Sequence, residues 1–374
     1  MIKPKDFYNS LSSEGIEFFS GVPDSLLKDF CAYITDNSKK ENHIIAANEG
    51  NAIALAAGYN LATSKIGLVY MQNSGEGNAV NPLTSLTDKE VYSIPMLLMI
   101  GWRGEPGKHD EPQHKKQGRI TLDLLETLEI PYSVLPDNLE GANSALKEIL
   151  NNIRSKSCPG AIVIKEGTFE KYNLLSKPLN NYTLTREEAL KTVIDSIGDS
   201  IVVSTTGKLS RELFEYRESL KQGHEKDFLT VGSMGHASQI ALGIALQKQD
   251  KEVYCLDGDG AAIMHLGGLA IIGSNANSNF KHIIFNNGCH ESVGGQPTAA
   301  FDINLSEIAK SCGYKLSIKV STKEEIVKGI NNLKSVKGPC MLEILVKSGA
   351  RADLGRPTTT PIENKEAFMS FLGK

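Results

Sequence analysis

The chain has 374 residues, enough for two domains of ordinary size. Its 40 Lys and Arg against 44 Asp and Glu leave no basic excess to hold nucleic acid or an anionic membrane, so small molecules or further copies of the chain are the expected partners. The amino-terminal stretch MIKPKDFYNSLSSEGIEFFSG lacks an apolar signal core, and no apolar run approaches the roughly 20 residues that span a bilayer; a cytoplasmic protein is expected.

In chain order, short Val- and Ile-rich runs alternate with segments of helical period, the pattern of βα units around a mainly parallel sheet. The clearest predicted strands are Ile66 to Met71, Ile94 to Ile100, Ala161 to Ile164, Ile201 to Val203, Val253 to Leu256, Ile283 to Phe285 and Met341 to Val346. Between Gly167 and Thr185 the pattern lapses into TFEKYNLLSKPLNNYTL, a polar stretch with Pro178 that reads as a linker. The sequence therefore divides into a first domain over 1–168, a linker over 169–184 and a second domain over 185–374. The second opens at Thr185, whose spacing to Glu188 fits a capping box. The six cysteines, Cys31, Cys158, Cys255, Cys289, Cys312 and Cys340, form no C-x-x-C pair, which argues against a disulfide framework or a cysteine zinc site.

The two halves repeat one another. A shift of 185 residues lays GNAIALAAGYNLATSKIGLVYMQNSG, from Gly50 to Gly75, on GHASQIALGIALQKQDKEVYCLDGDG, from Gly235 to Gly260. Identities fall at Gly50/Gly235, Ala52/Ala237, Ala56/Ala241, Gly58/Gly243, Leu61/Leu246 and Gly75/Gly260. Two similarly folded α/β halves are expected, with a site between them. The same shift puts Asp259 opposite Ser74, and Asn286 and Asn287 opposite Gly101 and Trp102. Only the second half carries these oxygen ligands.

Asp259 lies between Gly258 and Gly260, where an apolar strand meets a helix, and two readings of it are open. It could cap that helix by accepting its free N–H groups. Alternatively, the 25 residues between this GDG and Asn286-Asn287 fit one βαβ crossover, which brings Asp259 and Asn287 to the same carboxyl edge. A carboxylate with an amide oxygen suits a hard cation, and a helix amino terminus suits an anion, a combination pointing to Mg²⁺ bridging to a diphosphate.

This GDG and NN pair at that interval resembles the thiamine diphosphate signature of the family that includes pyruvate decarboxylase and acetolactate synthase. The resemblance implies that Asp259, Asn287 and the backbone carbonyl of Cys289 ligate Mg²⁺. It implies that Gly258, Gly260 and Ala261 line the diphosphate, and that Glu49, in ANEGNAIALAAG, hydrogen-bonds the cofactor's pyrimidine ring. In VGSMGHA, Met234 matches the apolar wedge that bends the cofactor and the Gly232 carbonyl its pyrimidine contact. The family joins the two halves of its site across subunits, so a homodimer or higher homo-oligomer is implied. Relatives with a third, middle domain are longer; here only a short linker fits, and a fold of two similar thiamine diphosphate-binding domains, pyrimidine-binding then diphosphate-binding, is implied.

The stretches WRGEPGKHDEPQH, NNGCHESVGGQPT and RADLGRPTTTPIENKEAFM resemble the phosphonopyruvate decarboxylase family, with the sulfopyruvate decarboxylases as near relatives. The implied substrate is a 2-oxo acid with a second anionic head. Ser25, Arg103, Lys108, Arg351 and Arg356 are the candidate substrate contacts, the guanidinium being suited to tetrahedral oxyanions. Candidate proton carriers, beside the catalytic Glu49, are Asp24, His109, His114, His290 and Glu291. A non-catalytic diphosphate-binding protein is the rival reading, against which Glu49 speaks. A dehydrogenase is disfavoured because no G-x-G-x-x-G follows a first strand with an acid about 20 residues on.

Overall fold

The computed structural model describes residues 1–176 and 180–373, so Pro178 of the expected linker lies outside the described residues. It divides into two compact units, Met1–Lys177 with Ser292–Pro297, and Pro178–Glu291 with Thr298–Lys374.

The first unit holds β1 (Phe19–Gly21), β2 (His43–Ile45), β3 (Gly67–Gln72), β4 (Met96–Gly101), β5 (Tyr132–Val134) and β6 (Gly160–Ile164). They form one parallel sheet in the order β2-β1-β3-β4-β6-β5. The second unit holds β7 (Ile201–Ser204), β8 (Asp227–Leu229), β9 (Val253–Gly258), β10 (Phe280–Asn286), β11 (Leu316–Val320) and β12 (Cys340–Leu345). Its order, β8-β7-β9-β10-β12-β11, is that of the first sheet with every strand number raised by six. The repeat seen in the sequence is thus a repeat of topology.

Central strands are mainly apolar and buried because helices cover both sheet faces: β4 and β12 are buried at every residue, and β12 carries one charged side chain, Glu343. The helix Leu139–Lys156 shows how a face is covered. Asn138 caps it, accepting the Gly141 N–H at 2.9 Å, and Ala142, Leu146, Ile149, Leu150 and Ile153 bury a stripe at helical spacing. Each large apolar side chain so buried contributes about 1.5–3 kcal/mol. Gly160 lets this helix close on β6, since a Cβ there would lie 2.8 Å from Ile153 and 2.9 Å from Ile149.

Residues 169–176, read from sequence as the start of the linker, are fastened to the first unit. Phe169 bridges to Ile2, and Asp29 and Asp36 accept the N–H groups of Tyr172, Leu175 and Ser176 at 2.8–3.0 Å. Thr185 caps the helix Arg186–Ile197 through a complete capping box with Glu188.

Candidate functional site

In the second unit the chemistry gathers at the carboxyl edge of the sheet. Parallel pairing sets Gly258 of β9 beside Phe285 of β10, so Asp259 and Asn287 each emerge just past the end of adjacent strands. Both are buried, at 3% and 5% exposure. The Asn287 backbone N–H faces the Asp259 carboxylate, as does that of Gly260, and the Thr298 hydroxyl donates to Asp259 Oδ2 at 2.5 Å. The cap position of the helix Asp259–Met264 is Gly258, and Asp259 is the first residue inside the helix; its carboxylate nonetheless takes the first-turn Gly260 N–H, so the two readings of it are compatible.

Burial pushes the Asp259 carboxyl up to about 6, and the Thr298 hydroxyl and backbone N–H groups offset only part of that. Among the described residues no Lys, Arg or His pairs with it. A carboxylate buried among neutral donors lacks a cation, and the oxygen atoms beside it suit a hard one. Asn287 Oδ1 already accepts the Cys289 N–H at 3.1 Å, and the Cys289 carbonyl accepts the Glu291 N–H at 3.0 Å; each oxygen keeps a second lone pair. A Cβ at Gly258 would meet nothing within 4 Å, so open space adjoins the turn. The donor set fits Mg²⁺, and the space and helix start fit a diphosphate.

The turn is braced from beneath. Asp257 accepts the Gly258 N–H at 2.9 Å and meets His282 Nε2 at 3.4 Å, while His282 Nδ1 meets the Tyr314 hydroxyl at 3.3 Å. Cys255 completes a buried trio with Asp257 and His282. Both ring nitrogens of His282 are engaged by protein and burial pushes the Cys255 thiol well up, so the trio works as a brace rather than a metal centre.

Beyond Asn287 the loop is held by charges of which the sequence reading singled out only Glu291, as a proton carrier; Arg186, Glu212 and Lys208 were not read from it. Arg186 grips Glu212 through Nε and Nη2 at 2.8 and 2.7 Å and also pairs with Glu291. Glu291 accepts from Asn287 Nδ2 at 3.3 Å and has Lys208 at 3.9 Å. The His290 ring lies over Gly260, where a Cβ would stand 3.0 Å from it, and burial lowers His290 to about 4. Across the unit's VGSMG stretch, Gly232, Ser233 and Gly235 all take positive φ, and the Gly232 N–H bonds Thr206. A serine at φ +47° is strained, and the bend it maintains sets half-buried Met234 in its place. Ala261 is buried in the helix start. Arg351 lies elsewhere on this unit, paired with Glu187, Glu215 and Asp353; Arg356 is exposed.

The first unit places Glu49 in the first turn of the helix Glu49–Thr63, capped by Asn48. Glu49 is 5% exposed, accepts from Asn78 Nδ2 at 2.7 Å and lies so close to Gly75 that any Cβ there would collide with its carboxylate. Asp24, past the end of β1, is fully buried and raised by that burial, its Oδ2 accepting the Leu26 N–H at 2.9 Å. Gly101 at the end of β4 gives it room. Ser25 links Asp24 to Arg103, whose Nη1 donates to the Ser25 hydroxyl at 2.7 Å.

Arg103 then grips Asp110 with two parallel bonds, at 2.8 and 2.5 Å, and Asp110 bonds His114 Nδ1 at 2.8 Å. Burial raises Asp110, but hydrogen bonds from Arg103, His114 and the Gly104 N–H outweigh it and hold the carboxyl well below its usual range. Asp110 was not among the residues read from sequence, although the Asp-x-x-x-His spacing of DEPQH marks it. His109 is exposed, and Lys108 pairs with Glu105 at 2.9 Å.

A family model described as the N-terminal TPP binding domain of thiamine pyrophosphate enzymes matches residues 5–126, and the corresponding C-terminal TPP binding domain matches 205–344. A phosphonopyruvate decarboxylase of Streptomyces viridochromogenes is 31% identical over 100% of this chain and 95% of its own length. The chain belongs to the thiamine pyrophosphate enzyme family. A phosphonopyruvate decarboxylase of Streptomyces hygroscopicus is also 31% identical, over 99% of the chain and 94% of its own length. A sulfopyruvate decarboxylase of Methanosarcina acetivorans is 27% identical over 91% and 90%. This thiamine pyrophosphate enzyme has the two cofactor-binding domains and no middle domain, the first match falling in the first unit and the second, apart from Ser292–Pro297, in the second. No described helix of the enzyme is long and apolar enough to cross a membrane.

Proposed function

We propose that the protein decarboxylates 3-phosphonopyruvate to phosphonoacetaldehyde and CO₂ with thiamine diphosphate and Mg²⁺, a step of phosphonate biosynthesis. The observation that carries the cofactor part is the buried Asp259 carboxylate set against Asn287 without a cationic side chain. The substrate part is supported by two relatives of that name at 31% identity over almost the whole chain.

Bound thiamine diphosphate supplies a nucleophilic carbon and an electron sink for the departing CO₂. In this reading Asp259, Asn287 and the Cys289 carbonyl hold Mg²⁺, while Gly258, Gly260 and Ala261 present backbone to the diphosphate. Glu49 and the Gly232 carbonyl bind the pyrimidine and Met234 supports its bend. Residues 1–168 thus serve as the pyrimidine-binding domain and 185–374 as the diphosphate-binding domain. The second anionic head of the substrate needs a cation. Lys108 and Arg351 already neutralise acids, so a phosphonate reaching them displaces a carboxylate. The reading places the enzyme in the cytoplasm, supported by six free cysteines, and as a homodimer or larger homo-oligomer whose sites take Glu49 from one subunit and Asp259 from another.

The test offers phosphonopyruvate, sulfopyruvate and pyruvate separately to protein loaded with Mg²⁺ and thiamine diphosphate, following CO₂ and aldehyde. Preferential turnover of phosphonopyruvate that vanishes without the cofactor is expected. Preference for sulfopyruvate would move the enzyme to the near relatives' reaction, and no turnover of any would leave a binding protein.

A further inference from the structure

Decarboxylation of a 2-oxo acid to an aldehyde replaces a carboxylate with a proton, so one proton must reach the carbon that CO₂ leaves. The carriers read from the sequence are not equal in the structure. Glu291 is committed to Arg186, His109 is exposed, Asp24 is closed off from water with the Leu26 N–H and the Ser25 hydroxyl on its carboxyl, and His290 has no carboxylate bonded to it among the described residues. His114 alone among these histidines has an acid fixed against one ring nitrogen.

We propose that Asp110 and His114 form a dyad in which Asp110 fixes the imidazole's tautomer and orientation and His114 Nε2 delivers the proton. Asp110 receives Arg103 Nε and Nη2, the Gly104 N–H at 2.8 Å and the Glu111 N–H at 2.7 Å, along with His114. A carboxylate among so many donors stays ionised and only accepts. The 2.8 Å contact to His114 Nδ1 therefore has nitrogen as donor: the neutral ring is protonated at Nδ1, and Nε2 carries the lone pair. Nε2 has no hydrogen-bond partner among the described residues, although the side chain is only 10% exposed. Pro112 at the start of the helix Pro112–Thr127, and Gly104, whose Cβ would collide with the His114 carbonyl, fix the backbone on either side.

Protons balance simply. Nε2 takes one from solvent water, whose hydroxide combines in solution with the released CO₂ as bicarbonate; the Asp110 charge compensates the imidazolium, and the proton passes to the substrate carbon as the electron pair left by CO₂ forms the new C–H bond. The ring returns to the Nδ1–H form. Asp110 touches no substrate in this scheme; it is a positioning residue, and Arg103 is its clamp rather than a substrate contact.

This inference rests on the proposed decarboxylation, but its first test does not need turnover. In holoenzyme labelled with ¹⁵N-histidine, the His114 nitrogens at neutral pH should show protonation at Nδ1, with His114→Gln identifying the signal. In Asp110→Asn the signal should change to the Nε2–H form or a mixture. A wild-type ring protonated at Nε2 overturns the dyad even if Asp110→Asn fails to fold. In turnover, Asp110→Asn and His114→Gln should each lower kcat about 100-fold with KM and cofactor affinity within a few-fold. Added imidazole should restore part of the kcat lost in His114→Ala. Unchanged kcat in His114→Gln also overturns the proposal, whereas a wild type inactive on all three acids would sink the reaction and leave the tautomer to decide the dyad.

Discussion

Two buried acids of opposite meaning mark this protein at the scale of single residues. Asp259 is buried where a cation is wanted, so Asp259→Ala should leave the fold intact while weakening Mg²⁺-dependent thiamine diphosphate binding at least 100-fold in titration calorimetry. Wild-type affinity in that variant would remove Asp259 from the metal site. Glu76, the first residue of the helix Glu76–Pro82, is 4% exposed, and among the described residues no cationic side chain pairs with it; only the Gln117 and Thr121 side chains approach its carboxyl. Burial raises it to about 8, with Gln117 and Thr121 opposing weakly. Since its unfolded value is near 4.5, the folded state keeps a proton that the unfolded chain loses between those values. Stability is therefore full below about 4.5 and drains away as pH rises through about 8. Each pH unit of the shift corresponds to about 1.4 kcal/mol. Glu76→Gln should remove this drain: urea unfolding at pH 5.5 and at 8.5 should show the variant gaining a few kcal/mol on the wild type at the higher pH. An equal difference at both would show that Glu76 is ionised and paired.

At the scale of elements, the capping box at Thr185 makes a separable contribution. Lys323 and Thr185 hold Glu188 down to about 2, from an ordinary 4.5, and the carboxylate receives Lys323 at 2.9 Å. A depressed acid stabilises above its unfolded value and loses the contribution as pH falls through its folded one, so the window is about 4.5 to 2. The group is nearly half exposed, and solvent screening keeps the worth of the ion pair small. Thr185→Ala should cost about 1 kcal/mol at neutral pH. The Tm gap between wild type and Glu188→Gln should close between pH 5 and 2; a constant gap would mean that charge plays no part. The box was legible because its four residues are consecutive, as were the long buried strands β3, β4, β9, β10 and β12. The strands the sequence did not reveal are β1, β2, β5 and β8, of three residues each, and the half-exposed edge β11. Three residues carry no period, and an edge strand carries a weak one. The site divides in the same way. GDG and NN are local spellings, whereas Arg186 finds Glu212 and Glu291 only after 26 and 105 residues of chain have folded back.

For the whole molecule, the decisive feature is one topology used twice with different chemistry at corresponding edges. The 185-residue shift that aligns β3 with β9 to within one residue puts Ser74 where the second unit has Asp259, and the second unit has no counterpart to Glu49, whose place falls to Met234. On the proposed roles, neither unit alone holds both the acid for the pyrimidine and the ligands for the metal, so the proposed site would need one of each. If these come from different subunits, two inactive variants can rescue one another. Glu49→Gln and Asp259→Ala should each be inactive as pure proteins. In a mixed dimer one site collects both substitutions and the other collects neither. Random mixing makes half of the dimers mixed, each with one of two sites intact, so activity should recover to about a quarter of wild type. Co-expression of the two variants measures it directly, and the hybrid isolated through different affinity tags, with one intact site of two, should show about half of wild type. If a single chain instead completed its own site, every site in the hybrid would carry one lesion or the other, and no activity would return.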